Sequence, residues 1–344
     1  MQIESKLIMG NFSDIPNPDL SILIPTYGRA KYLEKAIESA LAQKPTRCKV
    51  EIIIVSNDPY DAMTDLIDKY KNKKNVFIYR NEENIGMVGN SNRCAELARG
   101  KYIAFLHDDD YLLGNYIRNV EQFFLNKASE AKCFVVGRYI LFEKKDHEYR
   151  NAVIKDIIRK IYFIPSLYRK KIRRAQIKQC LYANVNCYFS PSCGTVFEKK
   201  AFESVGGFNS DIPYSWDYEF FLRFNNVFQI DVFSNACAVY RIGNNASLRS
   251  EVKYDFYEYN KTKYLQFMRK NKIDDRYIKR YEKEIIYSIF QQWPEDLESE
   301  LTKRNEEIPH LDSKMKWYWF KLKTLLYYYN NNLDIQRLLP RTKK

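Results

Sequence analysis

Asp108, Asp109 and Asp110 follow one another directly after a short apolar run, residues 102–106, of the kind that forms a buried strand. Adjacent carboxylates at a strand end repel one another, and a hard divalent cation with oxygen ligands is the counter-charge that suits them. In open α/β sheets, ligands sit beyond the carboxyl ends of the strands. The aspartates are therefore placed to hold a metal against a phosphate. They also fit a solvated acidic turn, since aspartate is a good N-cap for a helix starting near Tyr111.

Such a cluster needs rigid strand ends beneath it. Residues 21–25, 50–55 and 76–79 read as further buried strands. Leu33, Ile37 and Leu41 give the helix after Arg29 an apolar stripe, and another amphipathic helix covers about 62–70. Residues 84–90 form a glycine-containing turn into a helix that is predicted to end at Gly100. Strands alternating with helices argue for a mostly parallel, Rossmann-like sheet. Its polar turns, 26–29, 56–58 and 107–110, gather at one edge. Beyond Tyr111 the alternation weakens. Strands are expected at 133–141, 192–197, 227–232 and 236–241. A short helix over 199–205 is closed by Gly206 and Gly207, and residues 213–224 run from a loop into a helix. Residues 1–18 lack periodicity and read as a leader; from about Glu251 the chain is helical, basic and rich in tyrosine.

The 344 residues allow two domains, or one domain with a helical appendage. Lys plus Arg (56) exceeds Asp plus Glu (43), a net charge of +13 that favours anionic partners: nucleotides, nucleic acid or an acidic membrane face. There is no nucleic-acid-binding motif. No apolar run is long enough to span a bilayer and no secretory signal is evident, so a cytoplasmic location is expected. The seven cysteines are scattered, as free thiols in a reducing compartment would be, and the three histidines are too far apart for a local metal motif.

The order of these motifs resembles that of the family 2 glycosyltransferases, with their GT-A fold. The resemblance rests on Ser-Ile-Leu-Ile-Pro-Thr-Tyr-Gly-Arg (21–29), Glu-Ile-Ile-Ile-Val-Ser-Asn-Asp (51–58), Asn84 with Gly86, Tyr-Ile-Ala-Phe-Leu-His-Asp-Asp-Asp-Tyr-Leu (102–112), Gly-Gly-Phe (206–208) and Trp-Asp-Tyr-Glu-Phe-Phe-Leu-Arg (216–223). It covers about residues 20–249. It implies an α/β, GT-A (Rossmann-like) mixed sheet flanked by helices, with a helical C-terminal extension. The expected division is a leader (1–19), a nucleotide-sugar-binding half (20–125), an acceptor-binding half (126–250) and a helical basic and aromatic region (251–344).

The resemblance also implies site residues. Pro25, Thr26 and Tyr27 line a uracil pocket, Tyr27 otherwise being an ordinary turn aromatic. Arg29 meets a phosphate or solvates a helix start. Asn57 stands where relatives carry an aspartate that contacts the base; its amide oxygen can still accept from a uracil N–H. Arg93 reaches the diphosphate or the ribose, or is a surface arginine. The family's Asp-X-Asp pattern falls on His107-Asp108-Asp109, which makes Asp109 the ligand of Mn2+ or Mg2+ and turns Asp108 to the ribose or a metal-bound water. Asp110 is then a supporting group or a helix cap. Asp217 falls on the catalytic base, the other reading being a cap for the helix that begins there. Arg241 or Asn244 takes the place of a histidine found in relatives near the diphosphate. The implied activity is inverting, in-line transfer from a nucleotide sugar, a UDP-sugar first, to a glycan acceptor, lipid-linked or free, in bacterial surface polysaccharide or glycoconjugate synthesis. The rival is a catalytically silent partner or chaperone subunit, favoured by Asn57, His107 and Gly243. Residues 155–178 and 314–339 mix lysine with tryptophan, tyrosine and leucine, a composition suited either to peripheral contact with anionic membrane or to packing on the core.

Overall fold

The computed structural model describes residues 4–125, 130–142, 192–212, 215–242, 248–270, 275–280, 282, 286–290 and 293–310. Residues 155–178 and 314–339, Gly243 and Asn244 lie outside them. The described chain falls into two compact units, one up to residue 242 and one from residue 248.

The first unit is built on a nine-stranded mixed sheet. Its strands are β1 (Ser5–Met9), β2 (Leu20–Thr26), β3 (Val50–Ser56), β4 (Val76–Asn81), β5 (Tyr102–Phe105), β6 (Tyr111–Leu112), β7 (Cys133–Phe142), β8 (Val196–Glu198) and β9 (Ile230–Ile242), in the order β1-β4-β3-β2-β5-β8-β7-β9-β6. β2 to β5 are parallel and linked by α1 (Ala30–Leu41), α2 (Thr64–Tyr70) and α3 (Gly86–Leu97). Their near-continuous apolar runs reflect burial on both faces: Leu20, Ile22, Leu23 and Ile24 are fully buried, as are Ile52, Ile54 and Val55. Leu20, Ile22 and Ile24 share one core cluster with Leu33 and Ile37 of α1, and Leu41 packs against it, the stripe expected from the sequence. After β5 come α4 (Tyr116–Leu125), α5 (Lys199–Ser204) and α6 (Trp216–Val227).

At the end of the sheet opposite the aspartates, buried Glu51 is held by Ser21 Oγ (2.6 Å), the Arg99 backbone N–H (2.7 Å) and the Arg99 side chain (2.6 and 2.9 Å). A buried carboxylate is tolerable only with partners of this kind. Gly100 completes the arrangement. It does not end the helix, which stops at Leu97; it lets the backbone approach, since a Cβ there would lie 2.7 Å from both Ser21 N and Ser21 Oγ.

Several elements differ from expectation. The N-terminal segment, which lacks periodicity, supplies β1, antiparallel to β4. Residues 111–112 form β6 against Val239 and Ala238 of β9, and the next helix begins only at Tyr116, so Asp110 is not its cap. The strands expected at 227–232 and 236–241 are one strand, β9, pairing parallel with β7 through a register shift at Gly137; Val227 closes α6. Of 192–197 only the end is strand, residues 192–195 forming a turn.

The described elements of the second unit are helices: α7 (Ser250–Tyr259), a π-helical turn (Asn260–Tyr264), α8 (Leu265–Lys270), α9 (Asp275–Arg280), α10 (Ile286–Phe290) and α11 (Pro294–Lys303). Asp296 of α11 accepts from Lys253 Nζ (2.5 Å) and Ser250 Oγ (2.8 Å) of α7. Among the described residues no helix is long and apolar enough to cross a membrane, and Cys48, Cys94, Cys133, Cys193 and Cys237 are free thiols.

Candidate active site at the carboxyl ends of the parallel strands

β2 and β5 are neighbours, so their ends deliver Thr26 and the 107–110 turn side by side. Thr26 Oγ1 donates to Asp108 Oδ2 at 2.9 Å. Arg29, just before α1, places Nη1 2.6 Å from Asp109 Oδ2 and 3.4 Å from Asp108 Oδ1. A guanidinium therefore already sits as counter-charge to the two carboxylates. Asp108 and Asp109 are 7 % and 8 % exposed. Burial, with a further push from Asp109, raises the Asp108 carboxyl to about 6 against the pull of Arg29, Thr26 and His107. Tyr27 is exposed beside this pair and Gly28 turns the chain at φ +64°, while Pro25 is half-buried in β2.

His107 and Asp110 form the layer beneath. His107 Nδ1 lies 3.0 Å from Asp110 Oδ2 and Nε2 lies 3.1 Å from Ser192 Oγ. Burial opposes charge on the imidazole, but the bond to Asp110 and the fields of Asp110, Asp109 and Asp217 outweigh it and raise its pKa. Asp110, fully buried, also accepts the Arg241 backbone N–H at 2.8 Å. The Arg241 guanidinium lies over the Tyr32 ring, 4.6 Å from its centre. His107, Asp109 and Asp110 each offer a ligand atom within 4.8 Å of the others. One divalent ion with donors at about 2.1–2.4 Å brings opposite ligand atoms to about 4.2–4.8 Å, so the residues fit such an ion. His107 and Asp110 join Asp109 as candidate ligands; the triplet of aspartates was the signal for Asp110, and His107 stood at the first position of the Asp-X-Asp pattern.

Asp217 stands in the first turn of α6, where its Oδ1 accepts the Tyr218 N–H at 2.8 Å. The helix is anchored by aromatic rings. Trp216 meets Phe208 edge-on at 4.4 Å, and Phe220 packs among Phe197, Phe202, Phe208 and Phe224 at 4.8–5.5 Å. Asn92 of α3 locks the approach to α6 through both backbone groups of Phe208 (2.8 and 2.9 Å). The Asp217 carboxylate lies close enough to His107 and Arg138 to favour the charged form of each. Arg138 donates to the Cys193 carbonyl (2.6 Å) and Thr195 Oγ1 (2.9 Å), fixing the turn that carries Ser192. Neither Arg138 nor Ser192 was marked by spacing. Glu219, the neighbouring acid, is committed to Arg223 by two bonds of 2.7 Å.

Two expected contacts look different in three dimensions. Asn57, expected to offer its amide oxygen to a base, is 3 % exposed and uses that oxygen for Asn81 Nδ2 and the Ile85 N–H, both at 3.0 Å. Its amide nitrogen donates to Asn84 Oδ1 (2.8 Å) and the Gly86 carbonyl (3.2 Å). Arg93 pairs with Glu96 one turn along α3, at 3.0 Å.

The parallel half-sheet, the mixed strands beyond β5 and the acidic turn at the strand ends define a GT-A-like fold. The model of the family described as Glycosyl transferase family 2 matches residues 21–206, just over half of the chain, and the chain belongs to that family. It is similar to an uncharacterized glycosyltransferase of Rickettsia typhi, 27 % identical over 61 % of this chain and 60 % of that protein. It is also similar to the chondroitin synthase of Pasteurella multocida, 26 % identical over 68 % of this chain and 22 % of the synthase. The chain thus spans less than two thirds of these relatives' length. Among solved structures it shares its fold with S. aureus TarS 1–349 in complex with UDP-GlcNAc (TM-score 0.55, 15 % identity, 93 % of this chain and 84 % of that one). The mannosyltransferase PcManGT of Pyrobaculum calidifontis, in complex with GDP-Man and Mn2+, has a TM-score of 0.53 at 11 % identity, over 94 % of this chain and 85 % of that one.

Proposed function

We propose that the protein transfers a sugar from a nucleotide sugar, a UDP-sugar first, to a hydroxyl of a glycan acceptor. The observation that carries this reading is the meeting of Thr26, Arg29, Asp108 and Asp109 at the ends of two adjacent parallel strands. The nucleotide-sugar complexes of TarS and PcManGT support the donor class, and the Mn2+ of the latter supports a divalent ion. Pro25, Thr26 and Tyr27 wall the base, and Asp108 faces the ribose side. Asp109, with His107 and Asp110, holds Mn2+ or Mg2+, which when bound acts as a Lewis acid towards the diphosphate. Arg29, the counter-charge to Asp108 and Asp109, is the cation nearest the phosphates in this reading. A role for Arg93 at the diphosphate or ribose edge requires it to leave Glu96. Asp217 takes the proton of the acceptor hydroxyl as it attacks the anomeric carbon. Attack on the face opposite the departing nucleotide inverts that carbon.

The acceptor class is a growing surface glycan, lipid-linked at the cytoplasmic leaflet, with the basic regions 155–178 and 314–339 providing peripheral attraction to anionic lipid. Flotation with anionic vesicles at low salt tests that part; a protein that stays behind refutes it. The transfer itself is tested by incubating the protein with Mn2+ and a panel of sugar nucleotides and measuring released nucleotide. Release from one donor class is expected. No release from any donor, with or without a glycan acceptor, favours the silent partner subunit instead.

A further inference from the structure

The ends of β2, β3 and β4 are joined by a ladder of buried amides. Asn81 donates to both Asn57 Oδ1 (3.0 Å) and Asn90 Oδ1 (2.9 Å), and accepts from Ser5 Oγ of the edge strand (2.6 Å). Asn90 donates to the Val55 carbonyl at 3.0 Å. Asn57 is the hub. A side-chain amide has two N–H groups and two oxygen lone pairs, and all four of those of Asn57 are engaged within the protein. Three of the four bonds hold the 84–86 turn, and Asn84 Oδ1 in addition accepts the Gly86 N–H at 2.9 Å. Gly86 opens α3 at φ +74°. The Asn57 backbone N–H reaches the other side of the slot, donating to the Thr26 carbonyl at 2.9 Å. One residue thus ties the turn that carries Tyr27 to the turn that starts α3.

We infer that Asn57 is a positioning residue for the donor and does not read the nucleobase. A contact with a uracil N3–H requires it to give up the Ile85 N–H or Asn81, and a buried donor left without a partner costs at least what one hydrogen bond gains. That loss cancels the gain from one new bond. Asn57 instead fixes the separation of the two turns between which a base is held, so its removal weakens every nucleotide alike. The inference rests on the donor-site reading above for its ligand, while the ladder stands on its own geometry.

The experiment compares UDP with N3-methyl-UDP, which lacks the N3–H, by calorimetric titration of the wild type, Asn57→Ala and Asn57→Asp. Amide exchange at Ile85 and Gly86 is followed in the same proteins. A positioning residue predicts that Asn57→Ala weakens both ligands by a similar factor, on the order of tenfold, so that their affinity ratio stays within about twofold of the wild-type ratio. Exchange at Ile85 and Gly86 accelerates in parallel. Asn57→Asp weakens UDP as well, because its carboxylate faces Asn84 Oδ1 and the Gly86 carbonyl. A base reader predicts the reverse: the ratio falls to one in Asn57→Ala and grows in Asn57→Asp, with exchange at Ile85 unchanged. That pattern overturns the inference. If the wild type binds neither ligand, the donor-site reading fails, and unchanged Ile85 exchange in both variants would then also remove the positioning role.

Discussion

Asp108 is a carboxylate the fold buries at its own expense, and Asp108→Asn in metal-free protein measures by how much. Burial and the adjacent Asp109 raise its carboxyl from 3.8 to about 6. Between those two values the folded protein retains a proton that the unfolded chain has released, so stability falls as pH rises through that window and levels off above it. At about 1.4 kcal/mol per pH unit the full effect is on the order of 3 kcal/mol, of which about 2 kcal/mol develops between pH 4.5 and 7.5. Asparagine cannot ionise, yet its oxygen can still accept the Thr26 hydroxyl. The stability of the variant relative to wild type should therefore improve by about 2 kcal/mol between pH 4.5 and pH 7.5. Whatever Arg29 loses with its 3.4 Å partner enters as an offset. Urea unfolding of both proteins in chelator at the two pH values gives this difference. A difference that stays constant with pH would refute the reasoning and mean that Arg29 and Thr26 fully compensate the burial.

The remaining predictions concern the base and the frame. Asp217→Asn should keep UDP-sugar affinity within about twofold and lower transfer by ~10²–10⁴; transfer near the wild-type rate would leave Asp217 as a cap, and Glu219, already bound to Arg223, a poor replacement. Gly100→Ala should destabilise by about 1–3 kcal/mol, because its Cβ meets the backbone of Leu20 and Ser21 at 2.7–2.9 Å and neither can yield cheaply. UDP affinity of that variant below its unfolding transition should be unchanged, since Gly100 lies at the opposite end of β5; a loss of affinity in a folded protein would contradict this placement.

The parallel half of the fold was legible because its information is local. Residues 21–25 and 50–55 are apolar on both faces, and the helix stripe from Leu33 recurs at a fixed spacing, as burial on a parallel sheet demands. The aspartate triplet was legible for the same reason: three charges after an apolar run need an explanation. What stayed hidden depends on partners far along the chain. Residues 111–112 become a strand only because Val239 and Ala238 lie beside them, and Arg29 meets Asp109 across 80 residues. β1 has a weak pattern because it is an edge strand, half-buried at most positions. Asn57 illustrates the same limit at the site. Its residue type allowed a base contact, but the partners that fill its hydrogen bonds, Asn81, Asn84 and Ile85, are brought to it by β4 and the start of α3.

The most direct test of the account is a calorimetric titration of UDP into the wild type and Asp109→Asn, each with Mn2+ and with chelator. If the carboxylates at the end of β5 hold a divalent ion against a diphosphate, Mn2+ raises UDP affinity of the wild type at least tenfold, about 1.4 kcal/mol, and the gain disappears in Asp109→Asn while its unfolding transition remains cooperative. Equal UDP affinity with and without Mn2+ in both proteins would contradict the assignment of this site.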